Sequence, residues 1–135
     1  MDFVWGPGHP TQVHDHTVSG LVGVLRGAEK CEEFERPGDK QPLRRTGEHL
    51  IEPGGIIAVS STVGDIHTVS NGLSDRISIS IHAYGANIGT VRRHVYVPET
   101  GEIKSFVSIY SNRVISNLWE RSAEMRAGRI REGTK

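Results

Sequence analysis

"GHPTQVHDHTVSGLVGVLRG", residues 8–27 of a 135-residue chain, places three histidines and an aspartate within eight consecutive positions, 9–16. In an extended strand alternate side chains share a face, so His14 and His16 project together while Asp15 points the other way. Two imidazoles so arranged can bridge one zinc or iron ion. An isolated His-x-His also suits a polar surface strand, and this stretch alone does not separate the two readings.

Around it the chain reads as short strands punctuated by Gly, Pro, Asn and Asp, the pattern of an all-β sandwich or barrel. Strands are expected over residues 3–5, 12–16, 21–25, 56–59, 76–84, 91–97 and 103–108. Breaks are expected at Pro53-Gly54-Gly55, Ser70-Asn71-Gly72 and Pro98-Glu99-Thr100-Gly101, because Pro fixes φ and Gly tolerates φ above zero. The polar residues 29–52, with Pro37-Gly38-Asp39-Lys40 and Arg44-Arg45, read as a surface hairpin and its loop. From residue 117 the composition changes: Leu118-Trp119-Glu120-Arg121 and Ala123-Glu124-Met125-Arg126-Ala127 are rich in helix formers, so a short terminal helix is expected within residues 117–135, fraying after Gly128. No repeat or low-complexity tract interrupts this order, and one domain over residues 1–135 is expected.

Sixteen basic and sixteen acidic residues cancel, and the longest basic cluster, Arg44-Arg45, is too short to track a phosphate backbone. Nucleic acid and anionic membrane are therefore not expected as partners; a small neutral ligand or a small acid is. With Cys31 as its only cysteine the chain forms no internal disulfide and suits a reducing compartment. It has no twenty-residue apolar run, and its first residues lack a basic leader and an apolar core. A soluble cytoplasmic protein, monomeric or weakly homo-oligomeric, is the expectation.

A second segment changes the weight of the histidines. "TVGDIHTVSN", residues 62–71, contributes Gly64-x-x-His67-x-x-x-Asn71, to set beside Gly8, His14-x-His16 and Gly27. Together these resemble the two spaced motifs of the cupin superfamily, a double-stranded β-helix or jelly-roll barrel with a metal inside. The resemblance implies ligation by His14, His16 and His67. Where a usual cupin has a glutamate ligand about four residues after the second histidine, this chain has Gly20, flanked by Ser19 and Leu21. Three neutral imidazoles without a carboxylate would suit an anionic thiolate together with O2. Asp65, two residues before His67, is a rival carboxylate ligand, although Gly64-Asp65 reads more naturally as a turn. His9, His49 and His94 fall outside both motifs and are expected to be exposed or hydrogen-bonded.

In "RISISIHAYGANIG", residues 76–89, Ile77, Ile79 and Ile81 alternate with Ser78, Ser80, His82 and Tyr84. That alternation makes a half-buried strand with a row of hydroxyl, imidazole and phenol on one face. Ser80 and His82, and His82 and Tyr84, are then close enough to hydrogen-bond; a polar edge facing solvent is the plainer alternative. Taken with Phe3-Val4-Trp5-Gly6-Pro7-Gly8, His14-Asp15-His16-Thr17, Gly64-Asp65-Ile66-His67 and Ser80-Ile81-His82-Ala83-Tyr84-Gly85, the chain resembles the thiol dioxygenases, cysteine dioxygenase and its bacterial relative 3-mercaptopropionate dioxygenase. The likeness covers nearly the whole chain, including Tyr110-Ser111-Asn112 and Asn117-Leu118-Trp119.

This resemblance implies one Fe(II) per chain held by His14, His16 and His67, and a catalytic row of Ser80, His82 and Tyr84 that sets a phenol beside it. It also implies an arginine for the substrate carboxylate: Arg93, or Arg92, since neighbours in a strand face opposite sides. The reaction implied is oxidation of a small thiol carboxylate by O2 to the sulfinate. Two departures stand out. Mammalian-type members carry a cysteine that cross-links to the tyrosine, but this chain has Gly20-Leu21 in that region, so no cross-link is expected and Cys31 reads as structural. The family's helical N-terminal segment is expected to be missing, which would weaken pocket closure. A non-catalytic cupin that binds a metal or small ligand is the second reading; a cupin with Mn, Ni or Zn for isomerase or hydrolytic chemistry is the third. Between substrates, Arg93 and the absent cysteine favour 3-mercaptopropionate.

Overall fold

The computed structural model describes residues 2–62 and 65–107. Within them the chain is all-β, with β1 (Asp2–Trp5), β2 (Val13–His14), β3 (Gly20–Arg26), β4 (Glu29–Glu35), β5 (Arg44–Ile51), β6 (Ile56–Val59), β7 (His67–Asn71), β8 (Ser78–Tyr84), β9 (Arg92–Tyr96) and β10 (Ile103–Val107). They form a four-stranded sheet in the order β1-β8-β3-β6 and a six-stranded sheet in the order β10-β9-β2-β7-β4-β5, every pair antiparallel. Residues 110–112 and the helix expected within 117–135 lie outside the described residues. Among the described residues no helix is long and apolar enough to cross a membrane.

Each expected strand within this range is present, and residues 29–52 form the expected hairpin, β4 and β5, with a register shift between Glu33 and Phe34. Ion pairs across the hairpin, among them Lys30–Glu48 and Arg45–Glu32, lie at the exposed surface, where such pairs add little stability. Two expectations need correction. The strand foreseen over residues 12–16 is paired only at Val13 and His14, because the chain turns at Thr17, whose φ is +56°. And Ser70-Asn71 is no break: both residues belong to β7, with only Gly72 beyond its end.

The reason is visible at Asn71. Its Nδ2 donates to the carbonyls of Trp5, Gly6 and Arg76 at 3.1, 3.2 and 2.8 Å, and its Oδ1 accepts from Leu73 N and the Ser78 hydroxyl at 2.8 and 2.6 Å. The side chain therefore imitates a turn from the end of a strand and ties β1, β7 and β8 together. Ser78 Oγ in turn accepts from Ala28 N at 3.0 Å. Gly27 lies against it with φ of +77°, and a Cβ there would overlap the Ser78 hydroxyl. The motif residues Gly27 and Asn71 thus act as fasteners at one end of the sandwich.

The smaller sheet distributes polarity in an unusual way. Along β8 the residues turned inward are Ser78, Ser80 and His82, all buried, while Ile81 and Ala83 face out. Leu21 and Leu25 of β3, Val4 of β1 and Ile56 of β6 are exposed as well, with Val4 at 68% and Ile56 at 69%. The apolar interior is accordingly small: Val22, Val24 and Ile51 cluster with Ile57, and Trp5, Val59 and Val69 are also buried. Among the described residues, Asp15, His16, Glu29, His67, Asn71, Ser78, Ser80, His82 and Arg93 are buried as well.

Candidate metal centre

The register of the larger sheet builds the first half of the site. His14 of β2 lies directly opposite His67 of β7, and directly opposed antiparallel residues share a face. His16, just past the end of β2, joins them. The three rings stand 4.9, 4.9 and 4.7 Å apart between centroids at interplanar angles of 66°, 63° and 68°. One nitrogen from each lies within 4.8 Å of the others, forming a cluster that could hold a metal ion.

The donors fit a cation. His14 Nδ1 donates to the Gln12 carbonyl at 2.7 Å, because a carbonyl can only accept, and this leaves Nε2 with its lone pair turned toward His16 Nε2, 3.2 Å away. Protonation does not relieve the crowding. Burial, then the neighbouring His67, lowers the His14 pKa to about 4, and burial with His67 and His14 lowers that of His16 to about 2. His14 and His16 are thus neutral bases turned toward His67, and a divalent cation is what three convergent imidazoles accommodate.

Neither nearby aspartate completes it as a ligand. Asp65 Oδ1 accepts the backbone N–H groups of His16 and Thr17 at 3.1 and 3.2 Å, which holds the turn after β2. Asp15, buried on the opposite side of the strand, accepts from His94 N, His94 Nδ1 and the Tyr96 hydroxyl at 2.8, 2.7 and 2.9 Å. Its carboxylate binds β2 to β9 beyond the point where regular pairing stops. Of the histidines outside the motifs, His94 is engaged with Asp15, His49 with Glu33 at 3.3 Å, and His9 is exposed.

The smaller sheet supplies the second half. Ser80 Oγ lies 3.1 Å from His82 Nε2, His82 Nδ1 lies 3.2 Å from the Tyr84 hydroxyl, and that hydroxyl lies 3.4 Å from His16 Nε2. The Trp5 indole donates to Ser80 Oγ at 2.9 Å, and the Phe3 ring rests 4.5 Å from the His82 ring. Burial pushes the Tyr84 phenol up to about 12; the Arg93 charge pulls against the shift and Glu29 adds to it. The position where a cupin glutamate ligand was sought is occupied differently: Gly20 pairs with Tyr84 across β3 and β8, and a Cβ there would stand 3.0 Å from the phenol ring.

Arg92 is exposed, whereas Arg93 is 8% exposed and turned inward, with its guanidinium 4.7 Å from the centroid of the Phe106 ring opposite it on β10. Its charge is felt at His14, His16 and Tyr84. Sequence reasoning missed Glu29, which is wholly buried with Oε2 3.3 Å from His82 Nε2. In a polar stretch that also carries Glu32, Glu33 and Glu35 it had no signal to set it apart. Cys31, two residues on, is buried beside Val69.

Two antiparallel sheets enclosing three convergent histidines define a cupin whose cluster could hold a metal ion. More narrowly, the chain belongs to the cysteine dioxygenase type I family, whose profile matches residues 1–106. It is 24% identical over 115 residues to cysteine dioxygenase type 1 of Bos taurus, covering 84% of this chain and 56% of that protein. With the Rattus norvegicus protein of the same name it shares 27% over 103 residues, 75% of this chain and 50% of that one. The chain therefore spans about half the length of these relatives. Among solved structures, the capsular polysaccharide assembling protein CapF from Staphylococcus aureus superposes at a TM-score of 0.48 with 18% identity, over 80% of this chain and 27% of that one.

Proposed function

We propose that the chain is a mononuclear non-haem iron thiol dioxygenase that oxidises a small thiol carboxylate with O2 to the sulfinate. The observation that carries this reading is the pairing of a carboxylate-free three-histidine cluster with the Ser80-His82-Tyr84 row, whose phenol reaches His16. Family membership supports it. His14, His16 and His67 would hold Fe(II), which supplies the electron transfer that lets O2 react with a thiolate. In the overall change the sulfur gains both oxygen atoms and loses four electrons to them, while its proton ends on the sulfinic acid or in solvent.

The protein's own contribution is positioning and charge. Three neutral imidazoles leave the cation uncompensated, which favours the deprotonated, anionic form of a thiol. Arg93 supplies a fixed positive fork for the substrate carboxylate. Tyr84 remains a neutral phenol across the physiological range and sets its oxygen beside the cluster, held by His82. A substrate with one carboxylate and no amine suits these groups, because Asp15 and Asp65 are engaged elsewhere and Glu29 stands behind His82. This favours 3-mercaptopropionate over cysteine.

The deciding experiment is oxygen uptake by iron-loaded protein with each thiol in turn, with sulfinate quantified. Uptake matched one to one by sulfinate is expected, faster with 3-mercaptopropionate. His67→Ala should lose both iron and uptake. Bound iron without thiol-dependent uptake in the parent protein would overturn the enzyme reading in favour of a metal-binding module.

A further inference from the structure

Glu29 opens β4 opposite Ile51 and Asn71, and its exposure is 0%. One oxygen, Oε2, lies 3.3 Å from His82 Nε2; the other, Oε1, has no hydrogen-bond partner among the described residues. Taking a carboxylate out of water is strongly unfavourable, and a single contact to a histidine does not offset it. The residue therefore does not earn its place through stability.

Its contact bears on where His82 carries a proton. Among the described residues, Ser80 Oγ at 3.1 Å and Glu29 Oε2 at 3.3 Å both lie within reach of Nε2. A hydroxyl can donate or accept, whereas an ionised carboxylate can only accept. Were the proton on Nδ1, the bare Nε2 lone pair would face the carboxylate in a space closed to water. With the proton on Nε2, it is donated to the carboxylate in a charge-assisted bond, and Ser80 Oγ, which receives the Trp5 indole N–H at 2.9 Å, is tolerated beside it. Nδ1 is then an acceptor, 3.2 Å from the Tyr84 hydroxyl. With Glu29 ionised and His82 in this tautomer, the phenol hydrogen points at His82 and the lone pairs of its oxygen face the histidine cluster.

We propose, building on the thiol dioxygenase reading, that Glu29 is a positioning residue for Tyr84: acting through His82, which it holds with the proton on Nε2, it sets the direction in which the phenol presents its oxygen to the site. The role differs from that of the Ser80-His82-Tyr84 row, because Glu29 comes from the other sheet and touches none of the three clustered histidines through a hydrogen bond in this structure.

The test reads the tautomer directly. In 15N-histidine-labelled full-length chain, metal-free and with Zn(II) added, long-range 1H–15N correlations should show His82 Nε2 protonated and Nδ1 bare, the assignment being made with His82→Phe. Glu29→Leu should bring in the Nδ1-protonated form, raise the thermal midpoint, and lower kcat for the thiol by about tenfold with KM nearly unchanged. Glu29→Gln still offers a carbonyl oxygen and should restore the Nε2-protonated form and most of kcat. A wild-type His82 protonated on Nδ1 overturns the proposal without any variant, so it stays decidable even if Glu29→Leu fails to fold. A Glu29→Leu protein with the wild-type tautomer overturns it too. Because the spectrum needs neither iron nor turnover, absence of thiol-dependent oxygen uptake would sink the enzyme reading and leave this measurement standing on its own.

Discussion

A methyl group on residue 20 would sit 2.8 Å from the Ala83 carbonyl oxygen and 3.0 Å from the Tyr84 ring. The backbone oxygen cannot yield, so the ring must. Gly20→Ala is therefore expected to displace the phenol while leaving the three histidines in place: kcat should fall by about tenfold to a hundredfold, the loss typical of a misplaced reacting group, with iron content by metal analysis unchanged. In the sequence, Gly20 registered only as an absence, of a carboxylate ligand and, with Leu21, of a cross-linking cysteine. Its positive role depends on what stands across the sheet, which no spacing along the chain reveals. The histidines were legible because their spacing is local within each motif, and Glu29 was not, because the same polar stretch also carries Glu32, Glu33 and Glu35.

Cys31 permits a second prediction at this scale. Burial, then the charges of Glu33, Glu29 and Glu32, raises its thiol from the ordinary 9.0 to about 12. The folded state thus keeps the proton where the unfolded state releases it. Stability is untouched below about pH 9 and declines as pH rises from there toward about 12. Thermal midpoints measured across that interval should fall more steeply for the parent protein than for Cys31→Ala. Alkylation by iodoacetamide at pH 8.5 should be slow until denaturant is added.

At the level of elements, β8 shows how far alternation carries and where it stops. A period of two along residues 76–84 correctly separates two faces. It does not say which face is inside, and hydrophobicity alone would have chosen the isoleucines. The polar row lies inward because Trp5, Glu29 and His16 supply its partners from β1, β4 and the end of β2. β7 went unrecognised for a related reason. Asn71 and Gly72 carry the composition of a turn, yet the Asn71 amide satisfies three carbonyls from two separate segments. Removing it strands several buried polar groups, so Asn71→Ala should cost about 2–3 kcal/mol in urea unfolding. A value below about 0.5 kcal/mol, as for an ordinary surface change, would show that water or a shifted backbone replaces those bonds.

At the scale of the two sheets, polar contacts run between them among the described residues: Asn71 to Ser78, Glu29 to His82 and His16 to Tyr84. The all-β class was readable from strands and breakers, since both signals are local. The pairing order was not, because neighbours in the larger sheet such as β2 and β7 are far apart in the chain. Metal binding should stabilise this assembly as any ligand of the folded state does, by about 2.7 kcal/mol at a free-metal concentration a hundred times Kd. A chelator titration followed by calorimetry should show a lower midpoint in step with metal loss. An unchanged midpoint would mean that the histidine cluster holds no ion in solution.

The two-residue β2 gives that titration a spatial signature. Among the described residues, β2 is paired only at Val13 and His14, with a Pro10–Ser70 bridge and a Thr11 N–Val69 O bond continuing toward β7; β9 and β10 lie on one side and β7, β4 and β5 on the other. This is a seam, and two of the clustered histidines, His14 and His67, face each other across it. An ion held there would stitch the seam, while Asp15 anchors only the β9 side. In amide exchange, chelation should leave the β4–β5 hairpin as protected as before and open β9 and β10 first, so the sheet would part along a line rather than loosen throughout.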